Sequence, residues 1–182
     1  MTVNTTQVAT GTYTIDAAHS QLGFSVRHAG VSKVRGRMTG FEGTFTVTDP
    51  ISEATVKATI DANTVDTGNT QRDQHLVSAD FWNAAETGQW AFNSTAVSGS
   101  TEELTIEGDL TINGVTKPVS LAAELDGYGP GPAGETRAAY TAKTSISRKE
   151  FGLSWNVALE GGGVLVGDKV SIELEIVGVL EA

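Results

Sequence analysis

Apolar and polar residues alternate with a period of two through nearly every segment of this chain. That pattern restricts the fold more than any other feature. Successive side chains of a strand point to opposite faces, so such a segment has one dry face and one wet face. The clearest case spans Leu104 to Leu125. Leu104, Ile106, Leu110 and Ile112 share one face, then Asn113-Gly114 intervenes, then Val119, Leu121, Ala123 and Leu125 share a face. Asn-Gly between two alternating runs is the strongest short hairpin signal. The same alternation places Val56, Ala58 and Ile60 together, then Trp90 with Phe92, then Tyr140, Ala142 and Ile146. It returns at the end of the chain with Val170, Ile172, Leu174 and Ile176.

The N-terminal part opens with Tyr13 and Ile15 on one face, followed by a corner at Asp16–Ser20. Leu22, Phe24, Val26 and His28 share the next inward face. The spacing predicts one long strand from Val34 to Thr48, with a bulge near Gly40 where the apolar parity slips by one. Asn69–Ala79 is the one stretch with helical character, and Asn69 or Thr70 can cap it. Gly161-Gly162-Gly163 reads as a mobile segment. No βαβ alternation occurs, which disfavours a parallel sheet. The expectation is an all-β protein: an eight-stranded antiparallel up-and-down barrel with one short helix. Residues 1–10 are expected to be a flexible N-terminal segment, and 11–182 a single barrel domain.

Charge narrows the function. The net charge is −10 over 182 residues, which disfavours nucleic acid as a partner, because phosphate backbones need a basic footprint. The charge is uneven. Residues 1–48 hold Arg27, Lys33, Arg35 and Arg37 against Asp16 and Glu42, a balance of +2, and the remainder carries −12. An anionic headgroup is compatible with the first region. There is no cysteine, so thiolate metal sites and thiol nucleophiles are excluded. Three scattered histidines without His-x-x-x-His spacing give no metal signature. No Gly-x-Ser-x-Gly elbow is present. The chain is therefore expected to be no enzyme and to need no cofactor. Residues 1–10 lack a basic start and an apolar core. As given, the chain is expected in the cytoplasm, or in the periplasm or outside if a leader has been removed.

Seven short motifs follow one another in order: Tyr13-Thr-Ile15-Asp16-Ala-Ala-His19-Ser20, Gly23-Phe24-Ser-Val26-Arg27-His28, Gly36-Arg-Met38 with Phe41-Glu-Gly43, Asp61 with Val65-Asp-Thr67, Asp73-Gln-His75-Leu76 with Asp80-Phe81, Gly108-Asp109-Leu110-Thr111-Ile112-Asn-Gly114, and Ser147-Arg148-Lys-Glu-Phe151-Gly152. Each alone is weak; together they resemble the YceI-like family over about residues 11–180. The resemblance implies a lipocalin-like barrel that binds a polyisoprenoid or similar long-chain amphiphile in its tunnel, in proteins often periplasmic and often dimeric. The implied partner is a long-chain isoprenoid or fatty lipid. A homodimer and a transient membrane contact stay open.

A prenyl chain needs a dry, elongated lumen, since each buried methylene contributes about 0.8 kcal/mol. The candidates for its wall are Phe24, Val26, Phe41, Phe45, Phe81, Trp90, Phe92, Ile112, Tyr140 and Trp155, with His28 also at inward parity. Taken singly, each reads first as plain core, where most large apolar residues lie. Arg148 shares the parity of Tyr140, Ala142 and Ile146. A buried arginine needs a partner, either a carboxylate (Asp16 or Asp109) or an anionic headgroup. His19 and His75 read as capping or hydrogen-bonding residues. Small residues at or near inward positions, among them Gly36, Gly43, Gly108, Ala123 and Ala142, fit either a filled core around large rings or an open tunnel. A ligand-free interaction barrel and a lipid hydrolase are the alternative functions.

Overall fold

The computed structural model describes residues 7–182. Its strands form one antiparallel sheet. In chain order they are β1 (Gly11–Ile15), β2 (Gln21–His28), β3 (Ser32–Met38), β4 (Phe41–Val47), β5 (Thr55–Asp61), β6 (Val65–Asp66), β7 (Gln89–Gly99), β8 (Glu103–Ile112), β9 (Val115–Pro130), β10 (Thr136–Ser147) and β11 (Val166–Leu180). These eleven strands make eight staves. β1 and β2 both pair with β11, at Ile15↔Gly178 and Leu22↔Leu174. β3 pairs with β2 and β4 with β1. β5 pairs with β4 and β6 with β3. β1 with β2, β3 with β4 and β5 with β6 therefore each make one interrupted stave. With β7 to β11 they form a closed ring in which every stave lies beside its sequence neighbour and the last closes on the first. That is the expected up-and-down barrel.

The expected single strand from Val34 to Thr48 is two strands. It breaks at Thr39–Gly40, where the Gly40 N–H donates to Thr64 Oγ1 at 2.8 Å and the Gly40 carbonyl accepts from Asp61 N at 2.8 Å. A Cβ at Gly40 would meet Thr64 Cγ2 at 2.6 Å, so only glycine lets the turn Ala62–Thr64 approach this closely. The breaks at Asp16–Ser20, Thr39–Gly40 and Ala62–Thr64 lie level with one another on three adjacent staves.

Asn113 and Gly114 turn the β8–β9 hairpin with φ of 54° and 70°, the pair of left-handed conformations that an Asn-Gly turn supplies. The predicted helix is α1 (Thr70–Val77), capped by Asn69, whose Oδ1 accepts from Arg72 N at 3.0 Å. A further single turn, α2 (Ala84–Thr87), follows it and has no periodic signal in the sequence. Of the segment expected to be flexible, residues 1–6 lie outside the described residues, and residues 7–10 are docked. Val8 is buried with Tyr13, Val47 and Tyr140, and the Tyr13 hydroxyl donates to the Ala9 carbonyl at 2.7 Å. The outer positions of the staves, such as Lys57, Thr105, Glu107 and Asp109, are exposed and polar. An apolar lumen inside a polar wall is the inverse of a barrel that sits in lipid.

Candidate functional site

The barrel encloses a cavity of about 300 Å³ whose lining is almost wholly aliphatic and aromatic. Every stave contributes inward positions of the period-two pattern: Ile15, Ile60, Ile106, Leu121 and Ile172 are examples from five different staves. At one end Tyr13, with 0% exposure, stacks on Phe45 at 5.0 Å between ring centroids. Phe45 in turn meets Tyr140 edge-on at 5.9 Å. At the other end, past β6, no stave continues beside β3 among the described residues, and Leu76 of α1 joins Phe81 and Trp82 in the lining instead.

Ten of the twelve residues singled out in the sequence line this cavity: Phe24, Val26, Phe41, Phe45, Phe81, Trp90, Phe92, Ile112, Tyr140 and Arg148. The structure does not bring His28 or Trp155 to it. His28 has the right parity and pairs with Ser32 and with the lining residue Val166, but it is the last residue of β2 and does not reach the cavity. Trp155 lies outside Phe81, with ring centroids 5.1 Å apart, and against His75 at 4.8 Å. His75 Nε2 is 2.8 Å from Asp80 Oδ2, so the imidazole and the indole together back the Phe81 ring.

The glycines explain why large rings leave a cavity open. A Cβ on Gly36 would meet Phe24 Cε1 at 2.8 Å, one on Gly108 would meet Phe92 Cζ at 2.5 Å, and one on Gly178 would meet Phe45 Cζ at 2.5 Å. Each ring rests in the space a neighbouring side chain would fill, against the wall and out of the lumen's axis. The inward glycines therefore receive rings. The void is what remains between them.

Arg148 is 3% exposed, and its partners are neither Asp16 nor Asp109. Its Nε donates to the Gly167 carbonyl at 2.8 Å, Nη1 to those of Leu153 and Trp155 (3.0 Å to the latter), and Nη2 to that of Val166 at 3.2 Å. Four of the five guanidinium N–H groups are thus occupied. Burial pushes its pKa below the usual arginine value, and the charge of Asp168 acts in the opposite direction. Asn156 ties the same place: its Nδ2 donates to the Val166 carbonyl at 2.7 Å and its Oδ1 accepts from Val166 N at 3.0 Å. Arg148 and Asn156 together staple both feet of the loop 156–165.

Among the described residues the only ionisable side chains in the lining are Tyr140 and Arg148. Burial raises the Tyr140 phenol to about 12, and its hydroxyl donates to the Thr101 carbonyl at 2.9 Å. Sequence reasoning missed Trp82 and Leu153 as wall residues. Trp82 sits edge-on to Trp90 at 5.0 Å; its place just after α1 was visible in the sequence, its direction was not. His19 and Asp16 form an exposed pair, Nδ1 to Oδ2 2.7 Å, at the corner between β1 and β2. The Asp16 carboxyl lies below the ordinary carboxylate range chiefly through the His19 hydrogen bond.

The geometry has counterparts in known proteins. The chain is similar to the protein YceI of Escherichia coli O6:H1, 44% identical over 144 residues that cover 78% of this chain and 75% of that one. Its fold is similar to the crystal structure of BcnA from Burkholderia cenocepacia, with a TM-score of 0.76 at 20% identity, covering 90% of this chain and 98% of that one. It is also similar to a polyisoprenoid binding domain from Saccharophagus degradans, with a TM-score of 0.72 at 14% identity, covering 93% and 98%. The model of the YceI-like domain matches residues 13–178. Motifs, barrel and matched span agree, and the chain belongs to the YceI-like family.

Proposed function

We propose that this protein binds a long-chain isoprenoid or similar amphipathic lipid in the barrel lumen, for carriage, storage or sequestration. The observation that carries the proposal is the apolar cavity of about 300 Å³ inside the closed barrel, at the lower bound of ligand pockets and dry enough to hold hydrocarbon. The open lumen weighs against a filled interaction barrel. A structural neighbour described as a polyisoprenoid binding domain adds support.

The role is binding, not catalysis. A hydrolase needs a general acid or base at the scissile group, and among the described residues the two ionisable groups of the wall are a phenol held neutral and a guanidinium engaged by four carbonyls. The same engagement bears on the headgroup. Arg148 offers an anion one N–H at most, so a neutral headgroup such as a quinone fits inside the lumen better than a prenyl phosphate.

Native mass spectrometry of protein purified from its own host tests the proposal. A retained prenyl lipid is expected. Recovery of ligand-free protein alone, with no uptake of added prenyl quinone, would sink it.

A further inference from the structure

The wall beside the β2–β3 hairpin is cationic on a protein of net charge −10. The register sets Arg27 opposite Lys33, Ser25 opposite Arg35 and Gly23 opposite Arg37, all outward because Phe24 and Val26 point to the lumen. Exposed Lys169 precedes Val170, the partner of Val26, and brings a fifth cation from β11. Arg37 is paired with Asp66 at 3.2 Å. Among the described residues the other four form no ion pair. Two acids lie nearby: Asp168 of β11, whose carboxylate accepts from Ser147 Oγ at 2.6 Å and Lys149 N at 3.1 Å, and exposed Glu160 in the loop 156–165; the next acid on β11, Glu173, is opposite Gly23, further from the hairpin tip.

The tip itself is apolar. Val31 is 83% exposed. The Ala29 N–H donates to the Leu165 carbonyl at 2.7 Å, and the Leu165 N–H to the Val157 carbonyl at 2.9 Å. The loop 156–165 therefore lies beside the hairpin, and it carries Val157 and Val164, 46% and 49% exposed. Three exposed valines on two linked loops stand at the end of a strip of unpaired cations.

Single exposed valines need no explanation. A strip of cations alone fits edge protection. The combination fits neither, and a nucleic-acid site would leave the valines without use while the remaining charge repels a polyanion. A bilayer with anionic headgroups engages both: cations at the phosphates, valines in the headgroup layer. We infer that the β2–β3 face and the loop 156–165 form a docking surface for an anionic lipid bilayer. Arg148 and Asn156 staple that loop at the lumen's end, so docking would act where the wall meets the cargo. In naming the place of cargo exchange this rests on the lipid-binding proposal; the docking itself does not.

The test is sedimentation of the full chain with vesicles of phosphatidylcholine, or of phosphatidylcholine mixed with phosphatidylglycerol. Binding is expected to the mixed vesicles only, and to be lost at high salt. The triple variant Arg27→Gln/Lys33→Gln/Arg35→Gln, altered only at exposed positions, is expected to bind about a hundredfold more weakly. Val31→Ser is expected to weaken binding severalfold with the salt dependence unchanged. Equal binding to both vesicle types, no binding to either, or tighter capture by duplex DNA would overturn the inference. Native mass spectrometry separates it from the cargo proposal. Cargo-free protein that still sediments leaves docking standing and removes the lumen's role; cargo-loaded protein that stays in solution does the reverse.

Discussion

Replacing Gly36 with alanine puts one methyl group where the Phe24 ring now rests. The new Cβ would lie 2.8 Å from Phe24 Cε1 and 2.9 Å from Thr67 Cγ2, and nearer still to Phe24 Cζ. Ordinary carbon contacts lie at about 3.5–4.0 Å. The ring must retreat by roughly 1 Å, and its open side is the lumen. Overpacking of this kind costs about 1–3 kcal/mol, offset by about 0.4–1 kcal/mol from a stiffer unfolded chain. The net expectation is a protein about 0.5–2 kcal/mol less stable, read as a lower urea midpoint at unchanged m-value. The lumen loses space on the order of one methylene, about 0.8 kcal/mol of burial, which weakens prenyl quinone binding roughly fourfold by titration calorimetry. Gly108→Ala is the control. There the Cβ meets not only Phe92 Cζ at 2.5 Å but the Asn93 carbonyl at 2.7 Å, part of the ladder itself. It cannot swing away, so the stability loss is expected to be larger. Wild-type stability and affinity in Gly36→Ala would refute the account of rings seated on glycines.

Arg148→Met is expected to destabilise by about 3–5 kcal/mol, because four carbonyls lose their donors in a dry site. Limited proteolysis should then cut within Gly161–Gly163, while the ratio of neutral to phosphorylated prenyl lipid bound stays unchanged; a shift toward the neutral lipid would mean that the guanidinium does hold a phosphate. Burial raises the phenols of Tyr13 and Tyr140 from 10 to about 12. Their stabilisation is complete below pH 10 and is lost as pH rises through about 12, so cooperative alkaline unfolding is expected in that window, with Tyr140→Phe moving it upward; absorbance of two or more of the three phenols titrating near pH 10 in the folded protein would contradict this. Asn69→Ala removes the cap of α1 and should lower stability by about 1 kcal/mol in a urea titration.

The staves were legible in the sequence because the barrel's outer face is wet and its inner face dry, which writes the strand period directly into residue type. Leu104 to Leu125 shows this most plainly, and its Asn113-Gly114 turn is where the pattern places it. The break at Gly40 was visible as a parity slip. Whether the slip was a bulge or a change of direction depended on Thr64 and Asp61, more than twenty residues away. The cavity was not legible. Phe24, Phe45 and Phe92 look the same in a sequence whether they fill a core or lie back on Gly36, Gly178 and Gly108. Arg148 pointed inward as its parity required, but its partners could not be read, since a backbone carbonyl is carried by every residue. His28 shows the limit of parity as a guide: it gives a side chain's face, not its height along the barrel. Trp155 lies in no strand, so parity could not place it at all.

The three level breaks in the first staves have a kinetic consequence. Beyond them the third stave shrinks to Val65–Asp66, and α1 with Phe81 and Trp82 occupies the gap before β7. That panel is tied to the barrel by side chains: Thr67 Oγ1 to Asp73 at 2.6 Å, and Arg72 Nε to Thr67 Oγ1 at 2.8 Å. The rest of the wall is knitted by backbone ladders. Segments held by side chains open at a fraction of the global free energy. Amide exchange should therefore be faster in α1 than in β8 to β11. A lipid would then enter and leave at the rate this panel swings, with the ladders intact.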